Sequence, residues 1–121
     1  MAIKMSKVTI ITRREKFEEL RIKLFEIGVE GMTVTEVEGC GVQKGIDLLI
    51  RGVKKHIHLL PKIKVDIVVS TVPVQDIIDV ATKVLQTGEI GDGKIFVSEI
   101  KEVVRIRTGE RNEAALTNSI D

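Results

Sequence analysis

With 121 residues the chain has the length of one domain, enough to bury roughly two-thirds of its unfolded surface in a single modest core. Charged residues are 31% of the chain but nearly cancel, leaving a formal net charge of +1, so no global field points to nucleic acid or a membrane surface. Aromatics are only 2%, without Trp or Tyr, so the core must be aliphatic, and the lone cysteine, Cys40, rules out an internal disulfide and suits a reducing compartment.

Residues 1–7 lack the apolar stretch of a signal peptide, and no apolar run approaches the ~20 residues that span a bilayer, so a cytoplasmic location is expected. Val8 to Thr12 is β-branched throughout and predicts a strand. Phe17, Leu20, Leu24 and Ile27 then recur at helical spacing, with Gly28 as the stop. Thr33 to Val37 predicts a second strand. From Gly39 to about Pro61, glycines punctuate a stretch without sustained periodicity, a loop of about 20 residues, a length that is uncommon unless functional. Lys64 to Val69 predicts a third strand, and Pro73 stands where a helix can begin. Ile77, Val80, Ala81, Val84 and Leu85 form one helical stripe closed by Gly88. Ile95 to Ile100 and Val103 to Ile106 predict strands, and residues 110–121 a polar, loosely held tail with a turn at Ala114 to Leu116.

The two halves echo each other: Lys7-Val8-Thr9-Ile10-Ile11 resembles Lys64-Val65-Asp66-Ile67-Val68, and each is followed by one helix and one strand. The expected fold is therefore α+β, a ferredoxin-like βαββαβ plan in one domain over 1–121, with helices on one face of an antiparallel sheet. Apolar residues on both sides of the strands leave the open face needing a cover, which a homo-oligomer provides.

Gly88-Glu89-Ile90-Gly91-Asp92-Gly93-Lys94 nearly spells a P-loop, but Ile95 replaces the magnesium-binding Ser or Thr, and the run follows a helix instead of a strand. Such a turn still lets backbone N–H groups approach an anion, with Lys94 adding charge; the residues alone leave phosphate binding and a tight helix-to-strand turn both open. Arg105 and Arg107, two apart in a predicted strand, share a face, where an anion between them would relieve their repulsion; a solvated edge strand is the plainer reading. No acid/base pair accompanies these cations, which favours binding over catalysis. The segment Arg51 to His58 is basic but lacks aromatics for base stacking, so nucleic acid is not expected. His56 and His58 have no supporting ligand cluster, and Cys40 has no nearby histidine, so neither marks a metal or nucleophile site.

Four runs carry a resemblance: Gly31-Met32-Thr33-Val34-Thr35-Glu36-Val37, Gly39-Cys40-Gly41-Val42-Gln43-Lys44-Gly45, Thr87-Gly88 through Gly91-Asp92-Gly93-Lys94-Ile95-Phe96-Val97, and Ile106-Arg107-Thr108-Gly109-Glu110. Together they closely resemble the PII nitrogen-regulatory signalling family over nearly the whole chain. The resemblance implies a compact homotrimer with nucleotide clefts between subunits and a protruding T-loop at about 41–59. Gly91, Asp92, Gly93 and Lys94 would cradle the phosphates of ATP or ADP. Arg105 and Arg107 would reach them from a neighbouring subunit. Thr33 and Val68 would hold adenine, and Gly39, Gly41 and Val42 would line the cleft. Gln43 would coordinate Mg²⁺ on ATP, and with Lys44, Gly45 and Lys62 would hold 2-oxoglutarate.

The resemblance further implies a regulator, not an enzyme, recruited reversibly to the inner membrane face through an ammonium transporter. Arg51, Lys54 and Lys55 would form the partner contact. The segments Val8 to Thr12 and Gly39-Cys40-Gly41 resemble transporter-linked members from Gram-positive bacteria. A nitrogenase, a transcription factor or a biosynthetic enzyme are the alternative partners; a slow ATPase or an RNA-binding module ranks below them. Where some relatives carry a modified loop tyrosine, this chain has Gly52-Val53-Lys54-Lys55 and no tyrosine at all, which excludes tyrosyl uridylylation.

Overall fold

The computed structural model describes residues 4–40 and 59–117; the expected T-loop residues, and with them Gly41, Val42, Gln43, Lys44, Gly45, Arg51, Lys54 and Lys55, lie outside the described residues. The chain runs β1 (Met5–Thr12), a short 3-10 turn (Arg14–Lys16), α1 (Phe17–Glu26), β2 (Thr33–Gly39), β3 (Leu60–Val69), α2 (Val74–Leu85), β4 (Lys94–Ile100) and α3 (Glu113–Leu116). The sheet is antiparallel in the order β2-β3-β1-β4, the arrangement of the ferredoxin-like plan.

Alternation of buried and half-buried residues along β1 and β3 puts every second side chain under the helices. Val8 and Ile10, Ile63, Val65, Ile67 and Val69 meet Leu20 and Leu24 of α1 and Ile77, Ala81, Val84 and Leu85 of α2 in one aliphatic core. Full burial of each such side chain contributes about 1.5–3 kcal/mol, which explains how a chain without large aromatics can hold together. α1 stops where the amide of Gly28 donates to Phe25 O (3.0 Å) and that of Val29 to Leu24 O (3.1 Å), a paired C-cap that requires the left-handed backbone of Gly28 (φ 100°).

Four expectations are corrected. β3 begins at Leu60, four residues early, because Pro61 lies near the strand start, where its missing N–H is tolerated. Gly88 does not close α2: the helix ends at Leu85 through an extended Gln86, and Gly88 belongs to the turn beyond. Val103 to Ile106 is not a strand. Only an isolated bridge, Val104 to Arg111, forms there, because Gly109 (φ 75°) and Asn112 (φ 56°) fold the segment back on itself, with Arg105 N donating to Glu110 O. The open sheet face is apolar only in part: Ile11, Val68 and Phe96 share it with polar residues of β1 and β3. Lys7, Thr9, Lys62, Lys64 and Asp66 point that way from β1 and β3; Thr9 Oγ1 donates to Asp66 Oδ1 (2.6 Å), and Lys7 Nζ lies 3.7 Å from the same oxygen. Among the described residues no helix is long and apolar enough to cross a membrane.

Candidate functional site

The chain leaves α2 and enters β4 through a turn containing three glycines of positive φ: Gly88 (87°), Gly91 (106°) and Gly93 (110°). At Gly93 the requirement is steric as well, since a Cβ there would sit 1.9 Å from Ile11 O. The backbone of the turn lies directly on the end of β1.

Asp92 organises this turn. Its carboxylate accepts hydrogen bonds from Thr87 Oγ1 (2.5 Å), Thr87 N (2.8 Å), Gly88 N (3.0 Å) and Arg13 Nη1 (2.5 Å). Its carbonyl accepts one from the buried Thr12 hydroxyl (2.8 Å). The Thr87 hydroxyl and amide, then Arg13 and the Gly88 amide, hold the carboxyl well below the usual carboxylate range. Asp92 therefore stays ionised, but its oxygens are engaged by donors of the protein. It shapes the turn and is badly placed to act as a general base.

Two cations clamp the same turn from neighbouring strands. Arg13, one residue past β1, donates through Nη2 to Ile90 O (2.8 Å). Lys62 of β3 donates to Gly91 O (2.7 Å). Gly39, at the end of β2, lets the lysine lie across: a Cβ there would approach Lys62 Cγ to 3.3 Å. Lys94, the first residue of β4, pairs with Ile11 and is exposed. The structure thus brings Gly39, Lys62, Gly91, Asp92, Gly93 and Lys94 to one end of the sheet. Thr12, Arg13 and Thr87 belong with them and were given no role from the sequence: the bonds of Thr12 and Arg13 arise only from β1 lying beside β4, and those of Thr87 are made within the turn itself.

The remaining expected residues gather elsewhere. Thr33 and Val68 line an open cavity of about 850 Å³ with Lys7, Met32, Asp66, Ile100, Val103 and the C-terminal residues Ala115, Leu116 and Thr117. None of Gly91 to Lys94 is in its wall. Val68 lies six residues along β3 from Lys62, about 20 Å of antiparallel strand. Arg105 belongs to this second end: it is buried, and its guanidinium bonds Glu110, Ala115 O and Thr117 O. Arg107 is exposed. Because Val103 to Ile106 is not a strand, the expected shared strand face of the two arginines is absent. Among the described residues, no group of three or more His, Cys, Asp or Glu side chains is placed to hold a metal.

Comparison with known proteins matches the family profile "Nitrogen regulatory protein P-II" to residues 5–110. The chain is 48% identical over 112 residues to nitrogen regulatory protein GlnK of Escherichia coli K12, covering 93% of this chain and all of that protein. It is 47% identical over 116 residues to the nitrogen regulatory PII-like protein of Bacillus subtilis 168, covering 96% and 100%. Among solved structures, the B. subtilis GlnK–ATP complex superposes with a TM-score of 0.82 at 44% identity, covering 96% of this chain and 99% of that one. B. subtilis GlnK superposes at 0.80 with 48% identity, covering 93% and 99%. With a profile match over most of its length and relatives aligned along their whole length, the chain belongs to the P-II family of nitrogen regulatory proteins.

Proposed function

We propose that this chain is a nitrogen-regulatory sensor whose nucleotide site is assembled between copies of itself. The observation that carries this reading is the turn Gly91 to Lys94. It is pinned to β1 by Thr12 and Arg13 and to β3 by Lys62, and its glycine backbone admits no side chain at Gly93. Such a preformed turn binds phosphate without reorganisation, and the structurally similar GlnK was solved with ATP.

On this reading the phosphates of ATP or ADP lie on the backbone of Gly91, Asp92 and Gly93 with Lys94, beside Gly39, Gly41 and Val42. Thr33 and Val68 receive the adenine from a second copy, which also brings Arg105 and Arg107. The separation of the two groups of residues within one chain supports an inter-subunit site, and three such sites make a homotrimer. Gln43 joins Mg²⁺ on ATP and, with Lys44, Gly45 and Lys62, receives 2-oxoglutarate. A diacid that needs the metal, which in turn needs the γ-phosphate, makes the sensor a coincidence detector. The loop bearing Arg51, Lys54 and Lys55 then engages or releases an ammonium transporter. The similarity to GlnK and to the B. subtilis PII-like protein supports a regulatory role.

Calorimetric titration with MgATP, with and without 2-oxoglutarate and with ADP as control, tests the reading. The expected result is 2-oxoglutarate binding in the presence of MgATP and none with ADP. Nucleotide binding without any 2-oxoglutarate binding reduces the protein to a sensor of energy charge and withdraws the roles of Gln43 and Lys62. Absence of nucleotide binding overturns the reading.

A further inference from the structure

Arg105 has an unusual setting for a residue that serves a phosphate. Its side chain is 5% exposed and ion-paired to Glu110 (Nη1 to Oε1, 2.7 Å), while Nη2 donates to the carbonyls of Ala115 (3.1 Å) and Thr117 (2.5 Å). Those two carbonyls belong to the C-terminal segment that lines the 850 Å³ cavity together with Thr33 and Val68. Among the described residues, the other bonds made within this segment close onto itself or onto Asn112: Ala115 N to Asn112 O, Thr117 N to Glu113 O, Thr117 Oγ1 to Ala114 O. Arg105 is thus a clasp that holds residues 115–117 at the cavity.

An anion cannot reach a guanidinium so deeply covered until what covers it withdraws, and the Glu110 carboxylate repels the anion as it approaches. A phosphate that does arrive offers charge-assisted bonds stronger than those of two carbonyls. We propose that nucleotide phosphate and the C-terminal segment compete for Arg105, so that binding a nucleoside polyphosphate unclasps residues 113–117 from the cavity wall. This rests on the reading that Arg105 serves the nucleotide, and it adds a second output to the sensor, distinct from the loop between β2 and β3. Linkage makes the coupling reciprocal: whatever loosens the clasp must tighten polyphosphate binding. Adenosine, which lacks phosphate, does not compete for Arg105.

Hydrogen exchange of the peptide covering 113–117 in the full chain, read beside calorimetry with ADP and with adenosine, tests the competition. ADP is expected to speed exchange of this peptide by about tenfold, the factor set by losing about 1.4 kcal/mol of hydrogen bonding, while adenosine does not speed it. Glu110→Gln removes the competing charge while keeping an oxygen for the Thr108 hydroxyl that now bonds Glu110, and is expected to bind ADP several-fold tighter with no gain for adenosine. If ADP binds but exchange is unchanged or slower, or if Glu110→Gln binds ADP no tighter, the competition is overturned and the nucleotide site stands. If ADP does not bind at all, both fall together.

Discussion

The two ends of the sheet are held together in opposite ways. At the glycine turn, side chains from β1, β3 and the exit of α2 converge on a few backbone atoms, and Gly93 packs its bare backbone against Ile11. At the other end an 850 Å³ cavity is closed on one side by a short C-terminal segment that a buried arginine holds by two carbonyls. The first end has many independent restraints, so losing one leaves the shape largely intact, except where sterics allow nothing else. The second depends on a guanidinium whose bonds can be exchanged for others. On the proposed reading, the preorganised end binds and the end held by Arg105 responds.

The largest effect should come from Gly93→Ala. A Cβ there meets Ile11 O and demands a left-handed backbone, so the change should cost about 3 kcal/mol, seen as a lowered midpoint of denaturant unfolding. A wild-type midpoint would mean the turn gives way easily, and the contrast between the ends would dissolve. Next is Lys94→Ala, which removes an exposed ammonium from the rim of the turn. ADP affinity should drop about 10–100-fold with little change in unfolding, as expected for a charge-assisted contact. Equal affinity would take the phosphate away from this turn.

Third, the depressed pKa of Asp92 links its stabilising contribution to pH. Because its folded value lies below the unfolded one, the contribution is complete above about pH 4 and is lost as the pH falls further. Asp92→Asn should remove that part of the acid limb of a stability–pH profile, and an unchanged limb would show that Asp92 is not what acid releases. The smallest effect belongs to the convertible end. Asn112 combines a positive φ of 56° with an Oδ1 that accepts from Val103 N (3.2 Å). Asn112→Ala should cost about 1 kcal/mol and show mostly as faster exchange in 103–117. A global loss as large as that at Gly93 would mean the two ends are not built differently.

The sequence made the regular elements readable because their signals are local. β-Branched runs announced β1 and β2, the stripe from Ile77 to Leu85 announced α2, and Gly28 announced the end of α1. The glycine turn was legible as a backbone cradle. Its clamps were not: Thr12, Arg13 and Thr87 act on Asp92 and Ile90, and for Thr12 and Arg13 the partners lie 77 to 80 residues away in sequence. Only the pairing of β1 with β4 makes that contact, and no local pattern encodes it. Val103 to Arg107 misled for the converse reason. Its alternation of apolar and charged residues imitates a strand, yet Arg105 points inward to the C-terminal segment, and Ile106, at 97% exposed, points to solvent. The informative residues were Gly109 and Asn112, whose positive φ turns the chain back.

The carboxylate of Asp92 has one more consequence. A signalling protein shares its compartment with a fluctuating proton concentration, and a binding loop that gained or lost a charge near neutrality would report acidity as though it were metabolite. By surrounding the Asp92 carboxylate with donors, the glycine turn moves its titration further below the range a living cell visits. The result is noise rejection: this carboxylate keeps its charge, and with it the shape of the turn, when the surroundings turn mildly acidic.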